Sequence, residues 1–138
     1  MKREFISKCE RDTENIAKEL AKELKKGDFI AFFGDLGSGK TAFVRGLASV
    51  FCENARVSSP TYAIVNEYRG EIDIFHFDMY RIFDDDSLYS TGFYDYLDRG
   101  GICAVEWSEN ITYALPEERY DVTFEKMDET TRKITIVR

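Results

Sequence analysis

Long apolar runs are missing from this sequence, and no stretch approaches the length a membrane-spanning helix needs. Met1 to Phe5 leads into charged residues without the apolar core of a signal peptide, so a cytoplasmic location is expected. Proline is scarce, with 2 among 138 residues, and no segment is rich in glycine, serine or proline. That argues against interdomain linkers, and internal repeats and low-complexity tracts are not found either. Residues 1–138 are therefore expected to form a single domain around one buried core. Cys9, Cys52 and Cys103 are odd in number and have no CxxC spacing. Reduced, packed thiols are expected in place of a disulfide or zinc framework. An excess of basic charge is missing as well. The formal net charge of −7 repels phosphate backbones, so strong direct binding of RNA or DNA is not expected, although a basic partner can supply it.

What the chain does have is a globular composition, 43% hydrophobic and 14% aromatic. Glu4 to Ser7 suggests a short strand. From Thr13 to Lys25, Ile16, Leu20 and Leu24 recur every four residues with Ala17 and Ala21 beside them, the stripe of an amphipathic helix. Asp12 or Thr13 can cap its start, and Gly27 can end it in the left-handed conformation. Phe29 to Phe33 is an unbroken apolar run, suited to a strand covered on both faces. A helix over Lys40 to Phe51 would present Phe43, Val44, Leu47 and Val50.

Val57-Ser58 reads as a brief extended piece halted by Pro60. Tyr62 to Arg69 and Glu71 to Asp78 read as two strands around a tight turn at Arg69-Gly70. Asp84 to Leu97 suggests one or two short helices broken near Gly92. Ile102 to Val105 is a strand ending at Glu106-Trp107, and Tyr120 to Glu125 with Arg132 to Val137 form a hairpin. This order implies an α/β fold, a three-layer sandwich with a mixed central sheet and helices on both faces.

The most informative segment is Gly34-Asp35-Leu36-Gly37-Ser38-Gly39-Lys40-Thr41, which satisfies G-x-x-x-x-G-K-[ST]. Glycines at 34, 37 and 39 let several backbone N–H groups converge on one anion at the start of a helix, where the dipole also favours negative charge. Lys40 would reach the β- and γ-phosphates, and Thr41 would offer a hydroxyl to magnesium. The setting fits, since a buried strand precedes the motif and an amphipathic helix follows it. ATP and Mg2+ are the expected ligands. Asp78 and Glu106 each close a strand, where ligands collect in open α/β sheets. Either is a candidate magnesium ligand, directly or through water, or a residue that orients the attacking water. No Asn-Lys-x-Asp stands in the chain to support a guanine-specific site, and no arginine-rich lid supports a small-molecule kinase.

The P-loop motif, Ser59-Pro60-Thr61-Tyr62, His76-Phe77-Asp78-Met79-Tyr80-Arg81 and Val105-Glu106-Trp107 stand in the order of the TsaE (YjeE) family, and the chain resembles that family from the Thr13 helix to the last hairpin. The resemblance implies a P-loop NTPase-like fold and an ATPase of the threonylcarbamoyladenosine (t6A) pathway. Such a protein works with TsaB and TsaD on adenosine 37 of tRNA, and its hydrolysis resets that complex between cycles. By the same resemblance, Leu36, Gly37, Ser38 and Gly39 form the backbone cradle, and Lys40 and Thr41 hold phosphate and magnesium. Glu106 is a metal-side residue, Asp78 a Walker-B-like acid, and Thr61 a sensor of the γ-phosphate in a mobile segment. Trp107 packs near the nucleotide, while Glu10, Thr13 and Arg132 approach the base or ribose.

Plainer readings stand beside these. His76 lies within a strand and reads as a packed or solvated residue, Asp84-Asp85-Asp86 as a solvated helix start, and Arg81 as an ATP-facing finger or an ion-pair partner of Asp84 or Asp85. Phe93, Tyr94 and Tyr96 read as buried aromatics or as an exposed docking patch. A small-molecule kinase and a nucleotide-dependent binding module without turnover are the rival functions.

Overall fold

The computed structural model describes residues 1–34, 39–61 and 63–138. Its seven strands are β1 (Lys2–Ser7), β2 (Phe29–Phe33), β3 (Val65–Tyr68), β4 (Ile74–Asp78), β5 (Ile102–Glu106), β6 (Tyr120–Lys126) and β7 (Arg132–Val137). They form one sheet in the order β1-β7-β6-β2-β5-β4-β3. The central pairs β6–β2, β2–β5 and β5–β4 are parallel, and the outer pairs are antiparallel. Parallel strands need both faces covered, which explains why β2, β4 and β5 are almost continuously buried.

Strand alternation divides the core into two. Ile30 and Phe32 of β2, with Ile102 and Ala104 of β5, pack under α1 (Glu10–Ala21) and α2 (Lys40–Phe51). Phe29 and Ala31, with Cys103 and Val105, pack on the other face with Leu88 of α3 (Asp85–Ser90) and Phe93 of α4 (Phe93–Leu97). Phe32, Phe43 and Phe124 meet edge to face, with ring centroids 5.4–5.8 Å apart. Such pairs add about 0.5–1.5 kcal/mol each beyond burial. The result is the expected mixed α/β sandwich.

Several boundaries differ from the sequence reading. Helix α1 begins at Glu10, because Cys9 takes the extended N-cap backbone and Asp12 accepts the Lys8 N–H at 2.9 Å. Thr13 is therefore inside the helix, and its hydroxyl meets that of Ser7 at 2.7 Å instead of capping. The helix stops at Ala21, short of Lys25, although Leu24 stays buried beyond it. Gly27 is left-handed (φ +89°), but it lies in a separate turn held by the Asp28 carboxylate on the Lys25 N–H. Val50, expected on the apolar face of α2, is exposed. The β3–β4 strands are shorter than expected. Ile64 at φ +70° interrupts the first, and the Asp73 carboxylate takes the Gly70 N–H, so residues 69–73 form a wider loop. Gly92 (φ +82°) does separate α3 from α4. A kinked 3-10 segment, Ser108–Ala114, was not anticipated; it follows directly on Trp107.

Candidate active site

Parallel register brings the two acids together. Asp78 and Glu106 are paired residues at the carboxyl ends of neighbouring strands β4 and β5. By strand alternation they share the face of Ala104 and Ile102, which is the face covered by α2. Helix α2 points its N-terminus toward the same end of the sheet, so Lys40 and Thr41 reach the cavity that the two acids line. Lys40, Asp78 and Glu106 are all buried, at 4%, 6% and 7% exposure. One cation and two acids held this far from water are costly unless a charge-matched ligand or partner faces them.

The cavity has a volume of about 690 Å³. It collects Glu10 and Thr13 from α1, Gly39, Lys40 and Thr41 from α2, Thr61 from the loop before β3, and Asp78, Glu106 and Arg132 from strand ends. Trp107 does not line it. Its backbone is left-handed (φ +59°), and its ring lies beneath the Lys40 ammonium, with Nζ 4.7 Å from the ring centroid. Tyr80, on the cavity wall, sets its ring at a tilt against that of Trp107, with centroids 5.1 Å apart. Leu36, Gly37 and Ser38 lie outside the described residues.

The ends of the cradle are described, and both glycines hold the positive φ that such a turn needs. Gly34 has φ +127°, and a Cβ there would sit 2.5 Å from the Phe124 carbonyl oxygen. Gly39, at φ +107°, is the N-cap of α2 and accepts the Phe43 N–H at 3.0 Å. The donor set beyond it is a hydroxyl and two carboxylates, all oxygen. That suits magnesium, which binds few protein oxygens and keeps several waters.

Other residues of the site went unread in the sequence. Lys8 and Cys9 line the cavity from the β1–α1 turn, ahead of the Thr13 start that the apolar period marks. Arg45 lies one helical turn after Thr41 on the same face, a spacing that could have flagged it. Glu129 and Thr130 come from the β6–β7 loop, which Arg132 braces by donating to the Asp128 carbonyl at 3.0 Å. His76 proves fully buried, and its Nε2 hydrogen-bonds to Glu106. Asp84 caps α3 through the Ser87 N–H at 2.7 Å, as a solvated helix start would. Among the described residues no cluster of three or more His, Cys, Asp or Glu is poised to hold a metal. No described helix is long and apolar enough to cross a membrane.

The sequence profile of the family described as "Threonylcarbamoyl adenosine biosynthesis protein TsaE" matches residues 7–134. The chain belongs to the TsaE family. A TsaE protein of Rickettsia felis is 37% identical over 135 residues, which cover 96% of this chain and 78% of the relative. The TsaE protein of Bacillus subtilis is 37% identical over 125 residues, covering 90% and 78%. Both carry the name tRNA threonylcarbamoyladenosine biosynthesis protein TsaE. The crystal structure of Bacillus subtilis YdiB superposes with a TM-score of 0.82 at 31% identity, over 99% of this chain and 84% of that one. The fold shared with that structure thus extends across the whole sheet, including the β1 edge.

Proposed function

We propose that this chain is a partner-dependent ATPase of tRNA modification. It binds Mg-ATP in the 690 Å³ cavity and hydrolyses it slowly. Its work is to reset a complex with TsaB and TsaD, which places threonylcarbamoyl on adenosine 37 of tRNAs reading codons that begin with adenine. The observation that carries the ATPase reading is the convergence of the α2 N-terminus and Lys40 with Asp78 and Glu106 on one cavity. Family membership supports the pathway, and the net charge of −7 suits a subunit that leaves tRNA contact to its partners.

In this mechanism Lys40 stabilises the charge that spreads over the transferred phosphoryl oxygens. Its ammonium rests on the Trp107 ring, so it is pre-positioned at little further entropic cost. Thr41 with one of Asp78 and Glu106 would hold magnesium, which when bound would draw phosphate charge away from the leaving oxygen. The carboxylate of Asp78 or Glu106 not engaged with the metal side accepts a hydrogen bond from the attacking water and holds it in line. Thr61 would face the γ-phosphate, while Glu10, Thr13 and Arg132, which also line the cavity, would approach the base or ribose.

Phosphate release from ATP by the purified protein, alone and with TsaB and TsaD, tests this reading beside Lys40→Ala and Glu106→Ala. The expected result is a slow basal rate, stimulation by the partners, and a loss of about 10²-fold or more in each variant. A full rate from the lone protein that ignores the partners would overturn the partner dependence. An unimpaired Lys40→Ala variant would overturn the site.

A further inference from the structure

Strand β4 spends a fully buried position on an imidazole. Its neighbours Ile74, Phe75 and Phe77 are apolar and equally buried, so packing alone gives no reason for a histidine at 76. A buried imidazole is costly unless both nitrogens are satisfied, and both have partners. Nε2 bonds to the Glu106 carboxylate, and Nδ1 lies 3.4 Å from the Tyr68 hydroxyl. A carboxylate only accepts, so Nε2 carries a proton, and in the neutral imidazole Nδ1 is then the nitrogen that accepts from Tyr68. The Tyr68 hydroxyl in turn holds the backbone of Ser58, accepting its N–H at 3.2 Å and lying 3.1 Å from its carbonyl oxygen. Asn66 donates to the same carbonyl at 3.2 Å.

The chain of bonds starts and ends at the same cavity. Glu106 lines the cavity from the sheet, and Ser59, next to Ser58, lines it from the loop together with Thr61, whose hydroxyl meets that of Ser59 at 2.7 Å. The Tyr68 hydroxyl has one proton and two acceptors in reach, His76 Nδ1 and the Ser58 carbonyl. Given to Nδ1, that proton ties His76 to a hydroxyl that the Ser58 N–H holds in place, so the tie weakens when the loop leaves. The loop reaches β3 through Ile64, a β-branched residue held at φ +70°, a conformation that stores strain.

We propose that His76 is a positioning residue for Glu106, and that Tyr68 ties it to Ser58 so that the Glu106 carboxylate and the Ser59–Thr61 wall of the cavity move as one unit. With the loop seated, Tyr68 supports His76 and His76 fixes the rotamer of Glu106. With the loop displaced, Glu106 loses that support. The consequence for turnover rests on the ATPase reading above; the mechanical link does not.

Two variants and two readouts test it. In the ligand-free protein, NMR hydrogen exchange at the Ser58 amide should quicken about tenfold in Tyr68→Phe, which removes one oxygen, and also in His76→Leu, which acts from the far end of the chain of bonds. In steady-state hydrolysis, Tyr68→Phe and His76→Leu should lower kcat about tenfold with KM for ATP nearly unchanged. His76→Gln keeps an N–H donor near the Nε2 position and should restore kcat to within about threefold of wild type. Unaltered Ser58 exchange in His76→Leu would overturn the link, whether or not the wild-type protein hydrolyses ATP. A His76→Gln variant as impaired as His76→Leu would overturn the positioning role. If the wild type shows no hydrolysis while the exchange arm behaves as expected, the ATPase reading fails and the link stands.

Discussion

Lys40 sits with its ammonium on the Trp107 ring and two buried carboxylates on the same cavity wall. A cation over an indole gains about 0.5–2 kcal/mol, depending on desolvation. Trp107→Leu should therefore weaken ATP binding by about threefold to tenfold, and Trp107→Phe by less, because a smaller ring face remains; calorimetric titration reads both. The cysteines give a second test. Burial pushes the Cys52 thiol up to about 11 and Cys103 to about 12, so neither forms thiolate near neutral pH. Cys9 is exposed and lines the cavity. A thiol reagent at pH 8 should modify Cys9 alone in the native protein and all three cysteines in denaturant. Mg-ATP should slow the native reaction, and equal rates with and without it would place the nucleotide elsewhere. Residue chemistry was legible where it forms a contiguous motif, as in Gly39-Lys40-Thr41. It was not legible for Cys9 or His76, whose surroundings are assembled from β1, β3 and β5.

At the scale of elements, the α1–α2 interface is set by Gly46. A Cβ at that position would lie 2.4 Å from the Glu14 carbonyl oxygen and 2.8 Å from the Ala17 Cβ, so the helices touch backbone to side chain there. Gly46→Ala gains helix propensity of about 1 kcal/mol but must push α1 outward. Overpacking of this kind costs about 1–3 kcal/mol, so a net loss in chemical denaturation is expected. Because α1 carries Glu10 and Thr13 to the cavity, nucleotide affinity should fall as well.

The β1 edge is pinned differently. Arg3 grips Glu23 with two bonds of 2.8 and 3.0 Å, and the Tyr120 hydroxyl adds a third at 3.1 Å. The Arg3 hydrogen bonds, foremost, hold the Glu23 carboxyl below the ordinary glutamate value. Its stabilisation is complete above that ordinary value of about 4.3 and disappears as the pH falls through the lowered folded value. The pair is partly exposed, so about 0.5–1 kcal/mol is at stake. Arg3→Met should lose that much at pH 7, and the gap to wild type should close in acid. Helix α2 and strand β2 were legible because an apolar period and a glycine motif coincide in them. The true start of α1 was not, since an extended Cys9 with no side-chain cap bond leaves no sequence signal. The 3-10 segment was equally silent, because it depends on the left-handed turn at Trp107.

Across the whole molecule, one sheet carries both cores, and the cavity is walled by β1, α1, α2, β4, β5, β7 and the loops between them. The mixed α/β class was legible from element order, while the sheet order β1-β7-β6-β2-β5-β4-β3 was not, because register between distant strands leaves little local trace. A ligand that touches elements from β1 to β7 binds only when all of them are folded, and so stabilises them together. If residues 1–138 form a single cooperative unit, heat should melt the protein in one transition, and Mg-ATP should move that transition as a whole. At ligand concentrations 100-fold above Kd the native state gains about 2.7 kcal/mol, which for a chain of this size raises Tm by roughly 8–10 °C. Lys40→Ala, which loses the Trp107 contact, should melt a few degrees below wild type without ligand and show no shift with it. Scanning calorimetry with and without Mg-ATP reads both quantities. Two separate transitions, of which only one responds to nucleotide, would break the single-unit reading and confine the site to one part of the sheet.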